Sequence, residues 1–279
     1  MTIDFRMKPP IPAWERLFEE GRNAAGRWLN LRGLEPIPSE TLDDVIGEMD
    51  AQGITHAVIM GRGNEPGSSN AELAAFLSGQ TSNRFIGFIG ADSPDIAGAV
   101  DAVETFAPTG LFRGVSLNPA TLQPRTPIGD PSCDPLFEAA RRHGLPLSIT
   151  VSGLLGLSGE SIDYDYARPA GLIRAAKAYP DLKIILSHGA WPFVSEAITA
   201  AIVCPNIYLS PDLYFRFPGS QLYVEAVNFQ LSDQLLFGSC YPNVPYDFAI
   251  SHFKSQNWNE GVLRKILYEN GAKLLGLPL

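Results

Sequence analysis

The sequence is poor in the residues that mark disulfide-bonded or membrane proteins. Its three cysteines, Cys133, Cys204 and Cys240, are too few and too scattered for a disulfide framework or a paired-cysteine zinc site. No apolar run approaches the roughly 20 residues that cross a bilayer, and the N-terminus has no signal-peptide pattern. We therefore expect a cytoplasmic protein that does not associate with membranes.

Charge is also sparse. Charged residues make up 18% of the 279 residues, no long run of like charges occurs, and the formal net charge is −9. A negative field repels phosphate backbones, so we expect no nucleic-acid partner. Hydrophobic residues make up 45%, which suits one large buried core.

Short apolar runs alternate with amphipathic segments along the chain. Eight runs are typical of strands buried on both faces: Ile3–Met7, His56–Met60, Phe85–Ile89, Gly114–Leu117, Leu145–Thr150, Lys183–Ser187, Asn206–Ser210 and Gln234–Gly238. Helix-like segments separate them: Ser39–Gln52, Asn70–Leu77, Asp95–Phe106, Asp134–His143, Pro169–Tyr179, Val194–Ile202, Gln221–Leu231, Tyr246–Phe253 and Glu260–Leu275. This alternation predicts an α/β fold, a (β/α)8 TIM barrel in one domain over residues 1–279, with a doubly wound open sheet as the alternative.

One segment interrupts the alternation. About residues 9–38 follow the first predicted strand and include Trp14, Phe18 and Trp28. An insertion after a barrel strand lies on the catalytic face. We interpret it as a lid, a subunit interface or an ordinary packed insertion, and these three remain open.

Candidate site residues lie where the predicted strands end, because barrel enzymes place their chemistry there. The candidates for catalysis are His188, Asp212 and Cys240. The candidates for substrate binding are Arg6, Lys8, Arg62, Asn118, Thr150, Trp191, Tyr214 and Tyr241. Arg6 and Lys8 are two residues apart, so their side chains should point to the same side of the strand.

Three motifs at strand ends carry a resemblance that covers essentially the whole chain. IDFRMKPP stands where one branch of the amidohydrolase superfamily has I-D-x-H-x-H, LSHGAWP matches its S-H-G-G-x-x-P, and FGSCYP matches its F-G-S-D-x-P. That branch includes aminocarboxymuconate-semialdehyde decarboxylase and pyrone-dicarboxylate lactonase. The chain most resembles a subgroup of barrel proteins that begin IDFRxRPP.

The resemblance implies metal-ligand positions that this chain fills with other residues. The family's ligands are two strand-1 histidines, a strand-5 histidine and a strand-8 aspartate, which correspond here to Arg6, Lys8, Thr150 and Cys240. Arginine stays protonated and a charged lysine repels a cation. We predict no metal at the family's position and no other cofactor, although a metal held by His188, Asp212 and Cys240 stays as an alternative.

The remaining candidates suit an anionic substrate. Arg6 and Lys8 would bind a carboxylate or a developing oxyanion in place of the metal, unless they merely pair with Asp4 or Asp212. His188, the counterpart of the family's catalytic strand-6 histidine, would be a general acid or base oriented by Asp212 and Tyr214. The cations should lower the pKa of Cys240.

Three functions are compatible with these residues. The first is a metal-independent hydrolase of a small carboxylated or enolic cyclic compound such as a lactone, with His188 activating water or Cys240 attacking first. The second is a metal-independent decarboxylase or other lyase. The third is a non-catalytic barrel that binds an acidic metabolite. We also expect a homo-oligomer, because of the resemblance to the family and because of the aromatic residues in the insertion.

Overall fold

The computed structural model describes residues 1–28, 41–63, 67–152 and 167–279, with side chains described up to residue 22 in the first range. Within these ranges seven strands form one parallel sheet in sequence order. They are β1 (Thr2–Met7), β2 (Ile54–Met60), β3 (Phe85–Gly90), β4 (Phe112–Leu117), β5 (Leu147–Thr150), β6 (Ile184–Ser187) and β7 (Ile207–Ser210). The consecutive order excludes the doubly wound sheet, in which the strand order reverses.

The segment 235–241 follows β7 and contacts both edges of this sheet. Leu235 forms an isolated parallel bridge with Leu209 of β7, and Tyr241 forms another with Met7 of β1. The Phe5 amide also donates to the Phe237 carbonyl at 2.9 Å. The run Gln234–Gly238 was predicted as an eighth strand; it is instead extended backbone with isolated bridges, so the sheet is a curled, seven-stranded half-barrel.

Helices occupy the predicted positions between the strands, and the first helix, which was not predicted, lies in the insertion after β1. They are α1 (Glu15–Trp28), α2 (Leu42–Ala51), α3 (Asn70–Ser78), α4 (Ile96–Phe106), α5 (Asp134–Arg142), α6 (Leu172–Ala178), α7 (Val194–Val203), α8 (Gln221–Ala226), α9 (Tyr246–Lys254), α10 (Val262–Arg264) and α11 (Asn270–Leu275). A π-helical turn follows α8, and another joins α10 to α11. The expected start of α2 at Ser39 lies outside the described residues; Thr41 and Asp44 form the capping box instead.

Two hydrophobic clusters fill the molecule. The larger one joins Ile59, Leu186 and other strand residues to apolar faces of the helices. The smaller one contains Val58, Ile185 and Leu236. Its strand members alternate with those of the larger cluster, because successive strand residues point to opposite faces.

The insertion after β1 packs as a helix on the molecule. The side chains of Trp14, Leu17 and Phe18 are buried, and the Phe18 ring lies 6.1 Å from that of Tyr241. No helix among the described residues is long and apolar enough to cross a membrane. The side chain of Trp28 and residues 29–40 lie outside the described part.

Asp4 ties β1 to the segment 235–241. One carboxylate oxygen accepts the Ser239 amide at 2.7 Å and the Arg6 amide at 3.1 Å, and the other accepts the Ser239 hydroxyl at 2.6 Å. All of Asp4 is buried, and burial raises its pKa to about 7.

We expect Asp4→Ala to lower the free energy of unfolding by about 3 kcal/mol, because it leaves buried donors on Ser239 and Arg6 without an acceptor. Chemical denaturation monitored by circular dichroism measures this loss. Ser251→Ala, at an exposed hydroxyl of α9, is the control. An Asp4→Ala variant as stable as this control would contradict the role given to Asp4.

Candidate functional site

Polar side chains gather where β1, β5, β6 and β7 end. His188 follows β6, Asp212 follows β7, and Cys240 lies in the segment 235–241. All three have left-handed backbone, with φ of 64°, 54° and 58°. Such conformations are costly for residues other than glycine and cluster at functional sites, so the fold holds these side chains in place against local strain.

Asp212 is the centre of the hydrogen-bond network. Its Oδ2 accepts from His188 Nδ1 at 3.0 Å, from the His188 amide at 3.0 Å and from the Ser187 hydroxyl at 2.7 Å. Its Oδ1 accepts from the Ser210 hydroxyl at 2.5 Å. Burial acts to raise its pKa, but the bond from His188 and the positive charge of Arg6 outweigh it and hold the pKa below the usual value.

Gly238 leaves the space that Asp212 needs. A Cβ at this position would lie 2.2 Å from Asp212 Oδ1. Only glycine, which has no Cβ, allows Asp212 to approach the backbone this closely. This is a local physical reason for the glycine of the F-G-S motif.

His188 is a buried, neutral imidazole. Burial, and then the charge of Arg6, lower its pKa to about 4. Because the anionic Asp212 accepts from Nδ1, the single proton of the neutral ring resides on Nδ1 and Nε2 carries a free lone pair. This is the tautomer of a general base.

Arg6 is held by hydroxyl groups. Its guanidinium donates to Thr150 Oγ1 at 3.2 Å and to Ser187 Oγ at 2.9 Å. The alternative that Arg6 merely pairs with Asp4 or Asp212 does not hold for its guanidinium in this structure. Arg6 therefore keeps its charge available for an anion.

Lys8 lies directly after β1. Its amide donates to the Tyr241 carbonyl at 2.8 Å. The described residues provide no hydrogen-bond or ion-pair partner for its ammonium group. Burial, followed by the charge of Arg62, lowers its pKa to about 8; Arg6 acts in the same direction, and Cys240 and Glu20 oppose them.

The pKa of Cys240 differs from the value expected from the sequence. The cations were expected to lower its pKa, but burial and the negative charge of Asp212 raise the pKa to about 12, against the weaker effects of Arg6 and Lys8. Cys240 is 5% exposed. It is therefore a protonated thiol in the free protein, and the expectation of a stabilised thiolate was wrong.

Aromatic side chains form one wall of the site. The ring of Tyr214 lies 4.8 Å from that of His188 and 4.9 Å from that of Phe217. Its hydroxyl accepts from Ser152 at 2.8 Å, so Tyr214 contacts His188 through its ring. Trp191 lies 6.2 Å from Tyr214 and donates its indole N–H to the Pro218 carbonyl at 3.1 Å.

Three other predicted binding residues, Arg62, Asn118 and Tyr241, contact groups other than His188. Arg62 pairs with Asp92 at 3.3 Å, and Asp92 also accepts the Asn118 amide at 2.6 Å. The Asn118 side chain caps the turn that follows, since it accepts from the Ala120 amide. Tyr241 is fully buried, with its ring stacked at 4.2 Å on that of Tyr246, which is a packing position rather than an accessible one.

A cleft of about 670 Å³ opens between α1 and the ends of the neighbouring strands. Arg16, Glu20, Arg62, Asp92 and Asn118 are among the residues that line it. Arg62 and Glu20 also act on the charge of Lys8. The cleft is therefore lined in part by residues whose charges act on Lys8.

The residues at the family's metal positions do not fit a divalent cation. Arg6 is a permanent cation and donates to Thr150, so neither side chain is free to coordinate in the usual way. Within the described ranges, His188, Asp212 and Cys240 have candidate ligand atoms within 4.8 Å of one another. However, Asp212 already accepts four hydrogen bonds, and one of them occupies His188 Nδ1.

Sequence reasoning missed the small polar residues that support the site. Ser187 bonds both Arg6 and Asp212, and Ser210 bonds Asp212. They could have been identified from their position, because each serine is the last residue of an apolar strand, as Thr150 is the last residue of β5. Asp92 was also missed, because it follows β3 after a small residue and stands in no motif.

Solved structures of known proteins have the same fold as this chain. A 5-carboxyvanillate decarboxylase from Sphingomonas paucimobilis has 16% identity and a TM-score of 0.67, with 99% of each chain covered. A probable 2-pyrone-4,6-dicarboxylic acid hydrolase from Acinetobacter baumannii, with bound citric acid, has 14% identity and a TM-score of 0.62, again with 99% of each chain covered. At these identities the likeness shows the fold alone.

A structure of higher sequence identity and a family model show more than the fold. An uncharacterised TIM-barrel protein from Bordetella bronchiseptica is 30% identical, with a TM-score of 0.86 over 99% of this chain and 98% of its own. A search of curated proteins found no match. The amidohydrolase family model matches residues 18–277, which confirms the family that the motifs indicated. The chain therefore belongs to the amidohydrolase family.

Proposed function

We propose that this protein is a metal-independent hydrolase of a small anionic cyclic ester, such as a lactone. The observation that carries the proposal is the neutral His188, fixed by Asp212 at 3.0 Å and adjacent to the charge of Arg6. A fixed base beside a cation suits the attack of water on an ester carbonyl, because negative charge then develops on the carbonyl oxygen.

His188 supplies the base. Its Nε2 would accept a proton from water while Asp212 stabilises the imidazolium that forms, as in other histidine–carboxylate pairs. The pKa of about 4 keeps His188 neutral across the physiological range. At neutral pH almost no His188 carries the second proton that a carbanion would need, which favours hydrolysis over decarboxylation.

Arg6 and Lys8 supply the anion site. Thr150 and Ser187 fix the guanidinium of Arg6, so little reorganisation is required when the oxyanion forms. Water is the nucleophile rather than Cys240, because the thiol of Cys240 has a pKa of about 12. A cation pair in place of a divalent ion makes the reaction independent of metal.

The expectations about domain organisation, partners, oligomeric state and location are part of the same proposal. The hydrogen bonds from the segment 235–241 to β1 and β7 support an eight-unit barrel in a single domain. The net charge of −9 supports a small-molecule partner rather than nucleic acid. The homo-oligomer, the cytoplasmic location and substrate contacts by Arg62, Asn118, Trp191 and Tyr214 stay predictions, whereas the burial of Tyr241 argues against a substrate contact there.

Hydrolysis and decarboxylation are distinguished by what the reaction consumes and releases. The protein is incubated in oxygen-18 water with 2-pyrone-4,6-dicarboxylate and, separately, with 5-carboxyvanillate and 2,6-dihydroxybenzoate. We expect heavy oxygen in a new carboxylate of the lactone product and no carbon dioxide from the benzoates. Carbon dioxide release without heavy oxygen would establish the lyase instead. Tight binding of all three without turnover would establish the non-catalytic barrel.

The pH dependence of kcat/KM reports the two titrating groups. We expect it to fall below a pH of about 4, where His188 gains a proton, and above about 8, where Lys8 loses its charge. Steady-state rates across this range measure both limbs. Lys8→Arg, which stays charged, should remove only the alkaline limb; an acid limb near 6.5, the ordinary histidine value, would contradict the assignment of His188.

A further inference from the structure

We propose that Lys8 forms a covalent imine with oxo-carboxylates, compounds that carry both a ketone and a carboxylate. This goes beyond the hydrolysis proposed above and does not depend on it. Lysines that form imines are amines freed from partners and placed beside another cation. Lys8 has both properties.

The first observation is that the backbone of Lys8 is fixed while its amine has no partner among the described residues. Its backbone is fixed between β1 and the segment 235–241 by the bond to the Tyr241 carbonyl. Its side chain has no hydrogen-bond or ion-pair partner in the part of the chain that the structure describes. Glu20, the nearby acid on α1, is engaged with Arg16 at 2.8 Å.

Neighbouring cations favour the neutral amine. Arg62 and Arg6 both act against a charge on Lys8, and burial adds to them, so its pKa is about 8. A lysine with the ordinary pKa is roughly a hundredfold less deprotonated at that pH. The amine is therefore available as a nucleophile at a mildly alkaline pH, where an exposed lysine is not.

Arg6 selects the substrate class. It lies two residues before Lys8 and is held toward the interior by Thr150 and Ser187. The charge of Arg6 also acts on that of Lys8, so a carboxylate bound by Arg6 brings the ketone of the same small molecule into the neighbourhood of Lys8. Arg62 and Glu20, whose charges act on Lys8, also line the cleft.

The chemistry balances without any further reagent. The nitrogen lone pair attacks the ketone carbon, a C–N bond forms, and the carbonyl oxygen becomes a hydroxyl after proton transfer from nitrogen. The C–O bond then breaks, the oxygen leaves as water with one proton taken up from solvent, and a protonated C=N bond remains.

Borohydride reduction tests this step. The full-length protein is treated with pyruvate and sodium borohydride, which delivers hydride to the imine carbon and leaves a stable secondary amine. Peptide mass mapping should find an increase equal to pyruvate less one oxygen on Lys8, at least about tenfold above any exposed lysine, given the difference in deprotonation. Acetone, which lacks the carboxylate, should label Lys8 far less.

Two variants complete the test. Lys8→Arg keeps the charge and loses the nucleophile, so it should show no adduct. Lys183→Arg, which lies just before β6 at the opposite end of the strands, should label at Lys8 as the wild type does. Folding of both is checked by thermal melting. Labelling spread evenly over exposed lysines, or no labelling of folded wild type, would overturn the inference without affecting the proposed hydrolysis.

Discussion

Replacing His188 with asparagine is expected to lower kcat by about two to four orders of magnitude, the usual contribution of a positioned general base. Asparagine keeps a polar side chain near Asp212 but offers no basic nitrogen at the position of Nε2. Steady-state kinetics with the lactone identified in oxygen-18 water measures the loss. KM should change little, because the anion site at Arg6 and Lys8 stays intact.

The matched control is His143→Asn. His143 also pairs with a carboxylate, Glu104 at 3.1 Å, but it lies directly after α5, outside the site. Its replacement should leave kcat unchanged. Asp212→Asn should lower kcat as His188→Asn does, and the double variant should be no worse than the single ones, since the two residues act as a unit. A His188→Asn enzyme with more than a tenth of wild-type kcat would contradict the role of the base.

Arg6→Met should produce the second large effect, a loss of about a hundredfold or more in kcat/KM. The variant removes the charge that binds the substrate anion and leaves Thr150 and Ser187 without their donor. Arg6→Lys should recover only part of the loss, because an ammonium group cannot bond both hydroxyls in the same fixed plane. Initial rates over a range of substrate concentration separate the effects on KM and kcat.

Arg113→Met is the control for this change, since Arg113 is exposed on β4. It should have wild-type kinetics. If Arg6→Met and Arg113→Met had the same kcat/KM, the anion site would lie elsewhere. The cations around Arg62 would then be the next candidates.

The strand ends could be predicted because their signal is local. A buried parallel strand needs a continuous apolar run, and the first polar residue after it marks the barrel mouth. That reasoning placed Arg6, Thr150, His188 and Asp212 at strand ends, and the structure brings them together through hydrogen bonds. Their catalytic and binding roles stay predictions.

Other properties of the site depend on three-dimensional surroundings. The pKa of Cys240 was expected to fall because of nearby cations, yet burial and Asp212 decide its direction, and neither can be read from the motif. Tyr241 stands beside Cys240 in sequence, but its ring faces Tyr246 in the core. The capping box of α2 is formed by Thr41 and Asp44, whereas the predicted start at Ser39 lies outside the described residues.

The most direct test of the central claim, that cations replace the metal, is elemental mass spectrometry of protein purified without chelators. The same preparation is assayed for turnover before and after treatment with a chelator, beside His188→Ala. We expect far less than one divalent ion per chain and turnover that the chelator does not change. A stoichiometric metal that is lost in His188→Ala, together with lost turnover in chelator, would contradict the account and make His188, Asp212 and Cys240 metal ligands.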